Sequence, residues 1–198
     1  MERTETLPEG FLIAGRYQVA SCIGMGGFGV IYLGEDRKLQ RKAAVKEYFP
    51  RQWAEREESC VSVKKSSMAD AFRLGMQSFL KEGEIMSEFI HTPHVVTFYE
   101  ALEDNDTAYL VMEYIHGQSA GRRMRERGYR PYTPEEAAGI LLPVLEGLGK
   151  MHEKSIIHRD ISPGNIMCSQ EGQVCLVDLG AAKNYKEKAP VMTASFLK

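Results

Sequence analysis

The sequence predicts an α+β fold in two parts: an antiparallel sheet with one key helix, followed by a mainly helical part. Three observations predict it. Residues 17–49 read as alternating strands on either side of a glycine-rich turn, IGMGGFGVIY. Phe72, Met76, Phe79, Gly83, Met86 and Ile90 recur at steps of 4, 3, 4, 3 and 4, the period of one amphipathic helix over about residues 69–90. Beyond Gly117 the composition shifts to a second helical pattern and then to a loop, residues 156–167, whose polar side chains sit between apolar flanks.

Composition sets the bounds. The chain has 198 residues, 43% hydrophobic and 26% charged, ordinary values for a globular chain long enough to build a sizeable core. A formal net charge of -2 gives no basic surface of the kind nucleic acid needs. Cys22, Cys60, Cys168 and Cys175 are widely spaced and form no CxxC, which reads as free thiols in a reducing cytoplasm rather than disulfides or a metal site. The histidines at 91, 94, 116 and 152 are not at metal-ligand spacing. No apolar run reaches membrane-spanning length.

The elements follow in order. Residues 1–16 are polar, with Pro8, Gly10 and Gly15, and read as a leader. Residues 17–23 alternate as a strand and enter the glycine turn, Gly24, Gly26, Gly27 and Gly29 with Phe28 among them. Without Cβ atoms such a turn lets backbone N–H groups approach phosphate. The β-branched and aromatic residues after it predict a strand, where a dinucleotide-binding fold wants a helix. The next strand, residues 42–49, carries Lys46 in an apolar context, where an ammonium needs an anionic partner. Residues 50–67 are charged and irregular and read as an insertion, with Trp53 packing it down. On the helix that follows, Glu82 flanks the apolar stripe, and Gly83 costs about 1 kcal/mol relative to Ala, an expected soft point. Residues 95–102 and 108–115 read as strands joined by an acidic turn. Arg122, Arg123, Arg125, Arg127 and Arg130 read as a solvated helix face. Thr133, Pro134 and Glu136 form a capping box that opens a helix to about residue 154, with Leu141, Leu145, Leu148 and Met151 on one apolar face and an expected kink at Pro143.

The loop IIHRDISPGNIM is where the chemistry concentrates. Asp160 precedes Asn165 by five residues, with Pro163 and Gly164 turning the backbone between them, and Asp178 follows in VCLVDLG after another apolar run. One Asp to take a proton, with an Asn and a second Asp to hold a cation, is the inventory phosphoryl transfer requires.

Taken together, the glycine turn, AAVK, a helical Glu, VMEY, HRDISPGN and DLG resemble, in order and spacing, the motifs of bacterial eukaryotic-type serine/threonine protein kinases, from Tyr17 to Lys198. The resemblance implies a two-lobed fold, with residues 17–116 as the N-lobe and residues 117–198 as part of a C-lobe ending in the activation segment. It implies ATP and Mg²⁺ as cofactors and a protein as substrate. Gly24, Gly26 and Gly29 would cover the ATP phosphates, with Phe28 at the flap's tip and Ile23 and Gly27 also binding ATP; Lys46 would hold the phosphates and pair with Glu82. Val30, Ala44 and Met167 would sandwich the adenine, Met112 would be the gatekeeper, and the backbone of Glu113 and Ile115 would read the adenine edge. Asp160 would accept or orient the substrate proton, and Asn165 and Asp178 would bind Mg²⁺. Met86, Phe98, His158 and Leu179 would stack as the regulatory spine. Thr193 and Ser195 would be phosphosites, with Arg159 as the phosphate's partner.

Three departures qualify the resemblance. Ser162 stands where the family has a lysine, so the site is one cation short. DFG reads DLG, and Leu179 still fits the spine. The family pattern continues past Lys198 into helices that would cover the residue 133–154 helix, so an exposed apolar patch, self-association and weak or absent activity are expected of this length of chain. Two other readings stay open: a non-catalytic ATP-binding or scaffold module, which Ser162 favours, and a small-molecule phosphotransferase of kinase-like fold.

Overall fold

The computed structural model describes residues 5–185. Six strands form one antiparallel sheet in the order β1-β2-β3-β4-β8-β7. They are β1 (Leu12–Ile13), β2 (Tyr17–Met25), β3 (Gly29–Asp36), β4 (Arg41–Tyr48), β7 (Phe98–Asp104) and β8 (Thr107–Glu113). Between β4 and β7 lie a separate hairpin, β5 (Ala54–Glu57) with β6 (Cys60–Val63), and helix α1 (Ala69–Ser87). The β7–β8 turn has Asn105 and Asp106 both at positive φ, 52° and 58°, the two-residue turn whose twist matches its flanking strands.

The sheet buries both faces. Strand alternation sends Ala44, Leu110 and Met112 to one side, into a core shared with Phe79 and Met86 of α1. It sends Val19, Val30, Tyr32, Ala43, Val45, Tyr109 and Val111 to the other side, where Leu7, Ile13, Ala54 and Val61 close over them. The stretch read as a polar leader therefore contributes a strand and two buried apolar residues. The stretch read as an irregular insertion contains a docked hairpin. In both segments the apolar residues are scattered among polar and charged ones, and those few do the covering.

Helix α1 comes close to the sheet because two of its glycines leave room. A Cβ on Gly83 would sit 2.9 Å from Leu110 Cδ2 and 3.1 Å from Phe98 Cζ, and one on Gly75 would overlap the Tyr48 hydroxyl at 2.1 Å. Gly83 thus has a packing reason rather than marking a soft point. The helix ends at Ser87, so Phe89, fully buried, takes the place expected of Ile90, which is exposed. Residues 95–97 leave the sheet: Val95 bridges Leu176 in parallel, and Val96 N–H donates to the Leu176 carbonyl at 2.9 Å, which joins the two halves.

The second half holds β9 (Gly117–Ser119), α2 (Ala120–Glu126), α3 (Pro134–Glu153), β10 (Ile156–Ile157), β11 (Ile166–Ser169), β12 (Val174–Leu176) and β13 (Lys183–Asn184). β9, β11 and β12 form a three-stranded sheet, and β10 pairs with β13. Thr133 and Glu136 make the expected capping box reciprocally, at 3.2 and 2.9 Å, and α3 runs unbroken through Pro143. Its buried face is Val144, Gly147 and Met151. Leu141, Leu142 and Leu145 are 52%, 63% and 61% exposed, so the expected single apolar face divides: Met151 packs inward while Leu141 and Leu145 face out.

Candidate active site

A cleft of about 960 Å³ lies where the two halves meet, lined by Gly26, Gly27, Phe28 and Gly29 of the glycine turn, by Lys46 and Glu82, and by Asp160 and Asp178. The turn needs its last glycine: a Cβ on Gly29 would stand 2.6 Å from the Glu47 carbonyl oxygen. Phe28, at the tip, is 69% exposed. The geometry leaves a flap of backbone over the cleft, which fits a phosphate chain.

Lys46 stands on the cleft face of β4 and donates to both Glu82 oxygens, at 2.9 and 3.1 Å, and to Asp178 Oδ1 at 2.8 Å. Glu82 is 5% exposed, and Gly83 beside it is what lets α1 bring that carboxylate to the sheet. One ammonium therefore serves two carboxylates. Burial opposes the charge on Lys46, but Glu82 and Asp178 together outweigh it and raise its pKa, so it stays protonated. Burial raises Glu82, with Asp178 adding to that and Lys46 opposing it. Burial would also raise Asp178, but Lys46 and the Gly180 N–H hold it below the usual carboxylate range.

Backbone hydrogen bonds fix the loop that carries Asp160 and Asn165. The Asn165 N–H donates to the Ser162 carbonyl at 3.0 Å, and the Asn165 carbonyl accepts from Val177 N–H at 3.0 Å, tying the loop to the strand end that carries Asp178. The Asn165 amide nitrogen donates to the Asp160 carbonyl and to Asp160 Oδ2, both at 3.0 Å. That leaves the amide oxygen of Asn165 and one oxygen of Asp178 as acceptors for a cation, a donor set of hard oxygens that suits Mg²⁺. Arg159 and Asp178 both sit at positive φ, 68° and 63°, a conformation that costs of order 1–3 kcal/mol and clusters at functional sites. His158 is 1% exposed, and burial lowers its pKa, so the imidazole stays neutral.

Of the residues singled out in the sequence, Gly26, Gly27, Phe28, Gly29, Lys46, Glu82, Asp160 and Asp178 line this cleft, Asn165 reaches it through Asp160, and the residues expected around the base, Ala44, Met112, Glu113, Ile115 and Met167, are not among its lining. Ala44 and Met112 pair across β4 and β8; Met167 on β11 pairs with Ser119; Glu113 donates its N–H to the Thr97 carbonyl at 2.9 Å. Ile115 follows in the connection to β9, and Ile23 is exposed on β2 at the entry to the flap. Met86, Phe98 and Leu179 share one core. Val30 does not belong to the site. It pairs with Glu47 and is buried on the opposite face of the sheet, while Ile31 pairs with Lys46 and lines the cleft. A one-residue slip in a strand moves a side chain to the other face, and the alternation from Lys46 is the signal that identifies Ile31. Tyr48, Trp53 and Gly180 also line the cleft. Thr193 and Ser195 lie outside the described residues.

A protein kinase domain profile matches residues 17–197. A probable serine/threonine-protein kinase of Corynebacterium efficiens is 33% identical over 186 residues, which cover 92% of this chain and 25% of that protein. The serine/threonine-protein kinase PrkC of Bacillus subtilis is 31% identical over 170 residues, 86% of this chain and 23% of that protein. The chain thus spans about a quarter of the length of these curated relatives. Among solved structures, the apo form of PpkA-294 superposes with a TM-score of 0.83 at 26% identity, covering 89% of this chain and 62% of that one. Profile, relatives and fold agree with the geometry of the cleft, and the chain belongs to the protein kinase domain family.

Proposed function

We propose that this domain transfers the γ-phosphate of ATP, with Mg²⁺, to serine or threonine hydroxyls of a protein. The observation that supports it most is the convergence of Lys46, Glu82, Asp178 and Asp160 in one cleft beneath a glycine flap. Bound Mg²⁺ would supply charge neutralisation on the transferring phosphoryl group. The flap's N–H groups and Lys46 would hold the phosphates. Glu82 would keep the ammonium in place, and the amide oxygen of Asn165 with the carboxylate of Asp178 would hold the cation. Asp160, oriented by the Asn165 amide, would accept or orient the proton of the acceptor hydroxyl. Ala44, Met112 and Met167 would line the base, with Ile31 where Val30 was expected. Four free thiols fit a cytoplasmic setting, and no helix among the described residues is long and apolar enough to cross a membrane.

The test is γ-labelled ATP with Mg²⁺ and a generic protein substrate, on the chain and on Asp160→Asn. Labelling that Asp160→Asn removes supports the reading. A chain that labels nothing, and whose melting temperature is the same with and without ATP–Mg²⁺, overturns it, since a ligand at about a hundred times its Kd stabilises by about 2.7 kcal/mol.

A further inference from the structure

We infer that the β5–β6 hairpin is a positioning clamp for the glycine flap, with Trp53 as its contact and the buried Glu47–Arg56 ion pair as its anchor. The inference rests on the reading of the flap as a phosphate cradle.

Glu47 is the residue after Lys46 and points the other way, into the outer core, where it is fully buried. Its carboxylate accepts three hydrogen bonds, from Tyr32 Oη at 2.7 Å, Tyr109 Oη at 2.9 Å and an Arg56 guanidinium nitrogen at 2.6 Å. Burial and the adjacent Glu47 push both phenols above their usual range, so both remain donors. Arg56 comes from the hairpin, has a fully buried side chain, and spends a second nitrogen on the Ser59 carbonyl at 2.9 Å. Undocking the hairpin would leave Glu47 in an apolar core without its cation, a cost far above that of breaking a surface pair. The hairpin is therefore held to the sheet by charge as well as by Ala54 and Val61.

The residues that lead from β4 into the hairpin, 49–53, hold the flap. Phe49 N–H donates to the Phe28 carbonyl at 3.0 Å, and Arg51 N–H to the Gly27 carbonyl at 3.2 Å. The rings of Phe28 and Trp53 meet edge to face, with centroids 6.3 Å apart and planes at 76°. Glu47 connects the two ends of this device: its carbonyl limits Gly29, and its carboxylate holds Arg56. A flap already held over the cleft loses less freedom when it closes on phosphates, so the clamp favours ligands that carry phosphates over those that do not. This is a role for positioning residues; neither Trp53 nor Arg56 needs to touch the reacting atoms.

The experiment compares ATP–Mg²⁺ with adenosine by titration calorimetry on the chain, on Trp53→Ala and on Trp53→Phe. The expected result is an ATP affinity about three- to tenfold weaker in Trp53→Ala, the range an aromatic edge contact supplies, with adenosine within about twofold of wild type and ATP binding restored in Trp53→Phe. Trp53 is the only tryptophan, so its emission reads the contact directly: ATP–Mg²⁺ should change it in the chain, and Phe28→Ala should abolish that change. This arm decides the matter where Trp53→Ala fails to fold. Equal losses for ATP and adenosine, no loss for either, or an emission indifferent to saturating ATP–Mg²⁺ would overturn the clamp alone. A wild-type chain that binds neither ligand overturns the nucleotide reading and the clamp with it.

Discussion

Lys46 and Asp178, 132 residues apart in sequence, are bonded at 2.8 Å across the cleft, and the same ammonium holds Glu82. Removing the ammonium leaves Glu82 buried without a cation, a loss that breaks a buried pair at a cost of about 3–5 kcal/mol unless the carboxyl takes up a proton. Because burial already raises the Glu82 pKa, protonation is the route the variant will take. A carboxyl whose folded pKa lies above its unfolded value of 4.5 stabilises below that value and loses its contribution as pH rises through the folded pKa. Lys46→Met should therefore be more stable relative to wild type at pH 5 than at pH 8, by thermal melting in matched buffers. It should also be inactive at both.

The buried imidazole of His158 gives a pH dependence of the opposite sense. Its folded pKa is lowered by burial from 6.5, so between those two values the unfolded chain binds the extra proton. Stability should be fully present above pH 6.5 and fall as pH drops below it. His158→Gln should flatten that slope in melting curves taken from pH 8 to pH 5, even where it lowers the melting temperature overall.

Gly83 and Gly139 should respond oppositely to alanine. Both are helical, and helix propensity alone favours Ala by about 1 kcal/mol. At Gly139 nothing lies within 4 Å of the new methyl, so Gly139→Ala should stabilise by up to that amount in urea unfolding. At Gly83 the methyl meets Leu110 and Phe98, and overpacking costs about 1–3 kcal/mol, so the net should be destabilising. Gly83→Ala should also weaken ATP binding, because the displaced turn carries Glu82.

The contrast between Gly83 and Arg56 shows why the site was more legible in the sequence than the fold around it. Lys46, Glu82, Asp160, Asn165 and Asp178 belong to short motifs in which residue type and spacing encode one chemistry, so their convergence could be read in advance. Arg56 lies in a run of charges that reads as solvated, and only the strand it docks on betrays it. Ala43 and Val45 lie on the face of β4 opposite Lys46, so that face is covered, and Glu47 on the same face must be buried and paired. The slip from Ile31 to Val30 has the same origin: a motif gives positions along the chain, and only the pairing with Lys46 gives the face. Gly83 was legible as a cost but not as a fit, because the atoms it accommodates come from β7 and β8.

Leu141, Leu142 and Leu145 should make the isolated chain self-associate. They lie together on the outer face of α3, each more than half exposed, while Val144, Gly147 and Met151 face the core. Contiguous apolar surface of this kind marks contact sites. Leu142→Gln with Leu145→Gln should lower the apparent mass in sedimentation at high protein concentration without moving the melting temperature by more than a few degrees, since exposed positions contribute little to folding. A mass that stays concentration-independent in the unmodified chain would show that the patch holds no second copy.

Ser162 sets the last expectation. Its carbonyl is fixed by the Asn165 N–H, but the side chain brings no charge to the loop between Asp160 and Asn165. With serine at this position, the proposed site would present one cation fewer to a transferring phosphoryl group than the family pattern supplies, leaving Lys46 as the lysine of the cleft. Preorganised charge aimed at a developing negative charge speeds the chemical step more than it tightens ground-state binding. Ser162→Lys should accordingly raise kcat, by about tenfold for each 1.4 kcal/mol of transition-state stabilisation gained, while KM for ATP changes much less. Single-turnover rates at saturating ATP separate the two. An unchanged rate would overturn the expectation that the missing lysine limits the chemical step.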